Sequence, residues 1–137
     1  MSEKRGLILV VDDEENNRDM LARRLIRSGY EVETAADARE GLKLIISRPI
    51  DLVLLDQMMP NITGLEALKL VRQKYSAAEL PVIMVTARQD VGNIDEAMRV
   101  GANDYVTKPV DFPALLNRIQ AQLLRKRTAA ASGESAG

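Results

Sequence analysis

Apolar and polar residues follow two rhythms along this chain, and the pair recurs five times. Leu7 to Val11 is a continuous apolar run, suited to a strand buried on both faces. Glu14 to Ser28 then repeats at helical spacing, with Leu21 and Leu25 one turn apart and Gly29 placed to end the helix. Glu31 to Ala35 alternates charged with small or apolar residues, as a sheet-edge strand should. Asp37, with Glu40 three residues on, opens a second helix in capping-box fashion; its apolar stripe is Leu42, Ile45 and Ile46. Leu52 to Leu55 is another buried run. After a loop containing Pro60 and Gly64, Leu65, Leu68 and Val71 mark a third helix. Val82 to Val85, entered through Pro81, is the next buried run, and Val91, Ile94 and Met98 repeat at helical spacing up to Gly101. Asp104 to Thr107 is short and β-favouring. Asp111 caps a final helix carrying Leu115, Leu116, Ile119 and Leu123.

Strict alternation of strand and helix predicts an α/β fold, a single doubly wound parallel sheet with helices on both faces. Right-handed crossovers then place every strand's carboxyl end on one rim, and ligand sites of such sheets lie at that rim. Asp12, Asp13, Asp56, Thr86 and Lys108 all fall at such ends. Two carboxylates about 4 Å apart repel by roughly 4 kcal/mol at an effective dielectric near 20, so the crowding calls for a bound cation or a shifted pKa.

Composition narrows the chemistry. At 137 residues and 46% hydrophobic content the chain has the size of one domain. That domain is expected over residues 7–127, after an N-terminal tail of residues 1–6. Residues 128–137 are small and uncharged apart from one glutamate, and read as a flexible tail or linker. A net charge of -1 gives no footprint for nucleic acid or an anionic membrane. With no apolar leader and no spanning run, the expected compartment is the cytoplasm. The chain has no cysteine and no histidine, which excludes disulfides, thiolate nucleophiles, Ser-His-Asp triads and His- or Cys-ligated zinc. Chemistry must run on carboxylates, lysine, hydroxyls or a bound ion.

Hard carboxylates without histidine favour Mg²⁺ or Mn²⁺, and such an ion brings in a phosphoryl oxygen. Lys108 is a cationic partner for the same oxygens, Thr86 offers a hydroxyl, and Asp56 sits in the middle as nucleophile. Singly, each has a plainer reading: Asp12 and Asp13 as helix cap and solvated neighbour, Asp56 as a loop residue, Lys108 as an exposed lysine, Thr86 as a strand-end hydroxyl. Their shared location favours the chemical one. Arg125, Lys126 and Arg127 read as complementing a helix dipole, and Met58-Met59 as packing.

These segments resemble the receiver domain of the bacterial response-regulator family from about Leu7 to Leu124. Val10-Val11-Asp12-Asp13 is similar to the family's acidic pair. Leu54-Leu55-Asp56, followed by Met59-Pro60 and Gly64, is similar to the phospho-acceptor segment. Val85-Thr86-Ala87 and Gly101 to Pro109 match the hydroxyl site and the stretch ending in Lys-Pro. The resemblance implies a flavodoxin-like five-stranded sheet of order 2-1-3-4-5 with five flanking helices. It implies Mg²⁺ held by Asp13, Asp56 and the Met58 backbone carbonyl, with Asp12 acting through water. It further implies a histidine kinase or histidine phosphotransfer protein as donor to Asp56, a switch made of Thr86 and Tyr105, and a cis Lys108-Pro109 bond. Activation would rearrange the face of the fourth helix, fifth strand and fifth helix and so control an output domain or partner. A homodimer through that face is compatible with the pattern, although Asn103, Gln120 and the fourth helix lack much of the charge used by transcription-factor receivers. Met58 and Arg88 hold positions where family members vary and whose side chains approach the phosphoryl group, which leaves the lifetime of the phosphorylated state open.

Three rivals differ in class. A flavin-binding electron carrier of the same fold would want a glycine- and hydroxyl-rich phosphate loop where Asp12-Asp13-Glu14-Glu15 stands. An aspartate-nucleophile phosphatase would want an acid two residues after Asp56, where Met58 stands. A docking module without phosphorylation would have no use for a complete site.

Overall fold

A computed structural model describes residues 5–87 and 94–132. The elements alternate without exception: β1 (Leu7–Val11), α1 (Glu15–Arg27), β2 (Glu31–Ala35), α2 (Ala38–Ser47), β3 (Leu52–Asp56), α3 (Gly64–Arg72), β4 (Val82–Ala87), α4 (Ile94–Val100), β5 (Asp104–Lys108) and α5 (Phe112–Ser132). The five strands form one parallel sheet in the order β2-β1-β3-β4-β5. The order reverses between β1 and β3, so their carboxyl ends flank the crevice.

The pleat of the strands divides the core in two. Leu9, Val11, Val53, Leu55, Val82 and Met84 face α2, α3 and α4. Ile8, Val10, Leu52, Leu54, Ile83 and Val85 face α1 and α5, where Leu21, Leu25, Leu115, Ile119 and Leu123 complete the second layer. Alternate side chains of one apolar run therefore serve opposite cores, which is why β1, β3 and β4 stay apolar until the carboxyl ends, where Asp56 and Thr86 stand.

Two helical stripes differ from expectation. In α2 the buried positions are Ala38, Gly41 and Ile45, while Ile46 is 64% exposed. In α4 Ala97 is buried and Met98 is 41% exposed. The cause is close approach to the sheet: a Cβ on Gly41 would stand 2.9 Å from Val11 Cγ2, so small residues face the strands and larger ones are displaced to the flank. Val91, also assigned to that stripe, lies outside the described residues. The final helix runs to Ser132, past the boundary drawn at Arg127, through an alanine run of high helix propensity.

Gly64 is the first residue of α3 rather than part of a loop. Thr63 caps this helix in a full capping box with Glu66, a Thr-x-x-Glu signal present in the sequence but not read there. A Cβ on Gly64 would lie 2.4 Å from the Asp56 carbonyl oxygen and 2.7 Å from Gln57 Cα. Both obstacles are backbone and cannot swing aside. Gly64→Ala is therefore expected to cost about 1–3 kcal/mol or more of stability by overpacking. Gly41→Ala, which meets only a side chain, should cost less; urea melts of the two variants make the comparison.

Candidate functional site

The carboxyl rim gathers its charges from three strands. Asp56 ends β3, Asp12 and Asp13 follow β1, and Lys108 ends β5. One carboxylate oxygen from each of Asp12, Asp13 and Asp56 lies within 4.8 Å of the others. Asp12 and Asp56 are buried, whereas Asp13 is exposed. Lys108 Nζ stands 3.2 Å from Asp56 Oδ1, an ion pair whose angles fall outside those of a directed hydrogen bond. Among the described residues Asp56 Oδ1 accepts no hydrogen bond.

Asp12 is differently placed. Its Oδ1 accepts the Glu14 backbone N–H at 2.9 Å, its Oδ2 accepts the Asn17 side-chain amide, and its carbonyl accepts Arg18 Nη1 at 2.8 Å. Asp12 thus bonds the start of α1 and also faces Asp56. Asn17 and Arg18 were not read as site residues. The signal for them was weak, since a polar residue on the first turn of a surface helix is ordinary.

These surroundings set the charge states. Burial, and then the negative charge of Asp12, push the Asp56 carboxyl up to about 6; Lys108 and the Met58 backbone N–H pull it part of the way back. The group is therefore mostly ionised at neutral pH while standing well above an ordinary carboxylate in basicity. For Lys108, burial alone would lower the pKa, but the charges of Asp56, Asp12 and Glu14 outweigh burial and leave it raised. Lys108 is a fixed cation.

Could this donor set hold a divalent ion? Octahedral Mg²⁺ with oxygens at about 2.0–2.1 Å places opposite ligands roughly 4 Å apart. Three oxygens within 4.8 Å are slightly looser than that and all hard. The set suits a small oxygen-seeking cation that keeps part of its water.

The remaining predicted residues lie just behind. Thr86 is buried near the end of β4, its hydroxyl donating a long 3.4 Å bond to the Ala87 carbonyl. Tyr105 on β5 is 36% exposed and lines one small cavity together with Thr86. Met58 points its side chain outward, 59% exposed. The Lys108–Pro109 bond is cis. Arg88 lies outside the described residues.

At the opposite end of the sheet sits a polar hub absent from the sequence reading. Arg72 donates to the carbonyls of Gly101 and Leu80, each at 2.9 Å, and to Asn103 Oδ1 at 2.9 Å. Asn103 in turn accepts from Val82 N–H and donates to the carbonyl of Ala77 and to Gln122 Oε1. Burial lowers the Arg72 pKa, and carbonyls compensate the guanidinium. A signal existed: Arg72 falls one turn after Leu68, on the apolar stripe of its helix.

Comparison with known proteins agrees with this geometry. A family model for the response regulator receiver domain matches residues 8–120. Response regulator MprA of Mycolicibacterium vanbaalenii is 43% identical over 129 residues, covering 94% of this chain and 55% of that protein. Response regulator ArlR of Staphylococcus aureus is 40% identical over 119 residues, covering 87% and 53% respectively. The chain spans about half the length of the curated relatives it matches. Among solved structures, a response regulator receiver domain protein (CheY-like) from Methanospirillum hungatei superposes with a TM-score of 0.83 at 33% identity, over 90% of this chain and 97% of that one. NtrX from Brucella abortus, in complex with ADP, gives a TM-score of 0.87 at 30% identity, over 97% of this chain and 30% of that one. Among the described residues no helix is long and apolar enough to cross a membrane. The electron-carrier and docking-module readings are not favoured, and sequence, fold and rim chemistry lead to one assignment: the chain belongs to the receiver domains of two-component response regulators.

Proposed function

We propose that Asp56 is the phospho-acceptor and that the rim around it carries out the transfer itself. The observation that carries this reading is the contrast between the two buried aspartates. Asp12 has donors on both oxygens, while Asp56 Oδ1 has only the ammonium of Lys108 beside it. In the transfer, an Asp56 oxygen attacks the phosphorus of a donor phosphohistidine. The new O–P bond makes an acyl phosphate, the N–P bond breaks, and the departing imidazole nitrogen takes a proton. With no histidine in this chain, a histidine kinase or histidine phosphotransfer protein supplies the donor.

Mg²⁺ held by Asp13, Asp56 and the Met58 carbonyl, with Asp12 through water, would neutralise phosphoryl charge. Lys108 neutralises it from the other side, and its pairing with Asp56 fixes where the ammonium stands. The same constellation supports hydrolysis of the acyl phosphate, in which water attacks phosphorus and the Asp56 O–P bond breaks, so transfer and autodephosphorylation need no further domain.

The switch is assigned to Thr86 and Tyr105. The long bond from Thr86 to the Ala87 carbonyl is readily exchanged for one to a phosphoryl oxygen. The cavity that Thr86 shares with Tyr105 is walled by Ile94, Ala97 and Met98, so a change there reaches the surface of α4, β5 and α5. That surface would act on an output domain, a separate partner or a second receiver. The site of action is the cytoplasm, where kinases hold their donor histidines.

Acetyl phosphate with Mg²⁺ should add one base-labile phosphoryl group to the wild-type protein and none to Asp56→Asn; undiminished labelling of the variant moves the acceptor elsewhere. The same substitution has a pH signature in EDTA. A carboxyl raised from 3.8 to about 6 loses folding stability as pH rises through that interval. The loss is on the order of 3 kcal/mol when complete. Asp56→Asn should therefore gain on wild type between pH 4 and pH 6 and hold that gain above it.

Asp13 is exposed, so its relief of repulsion is screened. Asp13→Asn should melt only slightly above wild type in EDTA, yet Mg²⁺ should raise the wild-type melting temperature and barely move the variant. An Asp13→Asn protein that melts lower and still responds to millimolar Mg²⁺ would make Asp13 a helix-start residue rather than a ligand.

Thr86→Ala should take up phosphoryl groups but pass on less of the change. Amide resonances of α4, β5 and α5 should shift far less on adding beryllofluoride than in wild type. Equal shifts in both proteins would remove Thr86 from the switch.

A further inference from the structure

Between the sheet and α4 lies a small cavity of about 10 Å³, bordered by Gln57, Thr86, Ile94, Ala97, Met98 and Tyr105. Its walls are mainly apolar. Gln57, the residue after the proposed acceptor, brings the exception: its Oε1 is buried and has no hydrogen-bond partner among the described residues. A buried carbonyl-type oxygen left unpaired is costly and rare in native proteins. Backbone adjustment cannot relieve it. Gln57 N–H donates to the Val85 carbonyl at 3.0 Å and its own carbonyl accepts from Gly64 N–H at 3.0 Å, while Gly64 is packed directly against this segment.

Two hydroxyls border the same cavity. The Thr86 hydroxyl is turned to the Ala87 carbonyl and, in the switch proposed above, transfers to the phosphoryl group. That leaves the phenol of Tyr105, whose ring is 36% exposed at rest. From this arrangement we infer that Gln57 Oε1 is the acceptor for the Tyr105 hydroxyl in the phosphorylated state. The inference rests on the Thr86–Tyr105 switch and specifies what holds its second position. A cavity of 10 Å³ has room for about one water and none for a ring. Entry of Tyr105 therefore displaces the α4 wall of Ile94, Ala97 and Met98, and the new bond to Gln57 retains the displacement. An oxygen unsatisfied at rest and satisfied after switching biases the equilibrium in the required direction.

The test is a double-mutant cycle on Gln57→Leu and Tyr105→Phe. The readout is the ratio of inward to outward ring at position 105, from ring-proton resonances in Mg²⁺ and beryllofluoride. Gln57→Leu should bind beryllofluoride as wild type does, melt a few degrees higher in its absence, and lower the inward-to-outward ratio roughly five- to tenfold. In the Tyr105→Phe background the same substitution should leave the ratio unchanged. An unaltered ratio in the single variant, an equal fall in both backgrounds, or a Gln57→Leu protein that melts lower at rest would each overturn the assignment, the last by showing the amide already satisfied by water. If the wild-type ring itself does not move, the Thr86–Tyr105 switch fails and the inference falls with it.

Discussion

The unequal pairing of two buried carboxylates underlies the behaviour of this rim. Asp12 and Asp56 sit at the ends of adjacent strands because the two-sided core fixes the register of β1 against β3. The start of α1 supplies Asp12 with donors on both oxygens, and Asp56 is left with the Met58 backbone N–H, a lysine at 3.2 Å from Oδ1 and a raised pKa. The proposed reactivity of Asp56 rests on what is withheld: a carboxylate bonded as fully as Asp12 is a structural residue.

The segment after Asp56 is equally constrained. Gly64 leaves no space for even a methyl group against the Asp56–Gln57 backbone, and Asn61 takes a positive φ of 70° to bring the chain round into α3. A loop held this rigidly could not absorb a charge gained at Asp56 by moving away. Neighbouring side chains with weak or absent bonds, Thr86 and Gln57 in particular, are then the groups free to respond.

Much of this architecture was legible in the sequence because it depends on local signals that agree with one another. Unbroken apolar runs marked the strands, and polar residues directly after them marked the rim. The resemblance to receiver domains supplied the strand order, which periodicity alone leaves open. What escaped was of two kinds. Helix faces were misjudged where close packing rewards alanine and glycine over larger side chains, as at Gly41 and Ala97. Long-range polar partners were invisible because their donors and acceptors are far apart in sequence. Arg72 meets Gly101 and Asn103, and Asp51 binds both the Leu7 N–H and Lys126. Lys126 was assigned to the helix dipole, yet its ammonium reaches back 75 residues to a carboxylate at the amino end of β3.

The Arg72 hub gives the molecule a mechanical asymmetry. It clamps the amino ends of β4 and β5 to the carboxyl end of α3 with charge-assisted bonds, while the carboxyl ends of the same strands meet a small cavity and a weakly bonded hydroxyl. One end of the β4–β5 pair is anchored and the other is compliant. A disturbance at the rim would therefore act as tilting about a fixed base rather than sliding of whole elements, with its greatest amplitude on the outer surface nearest the carboxyl rim.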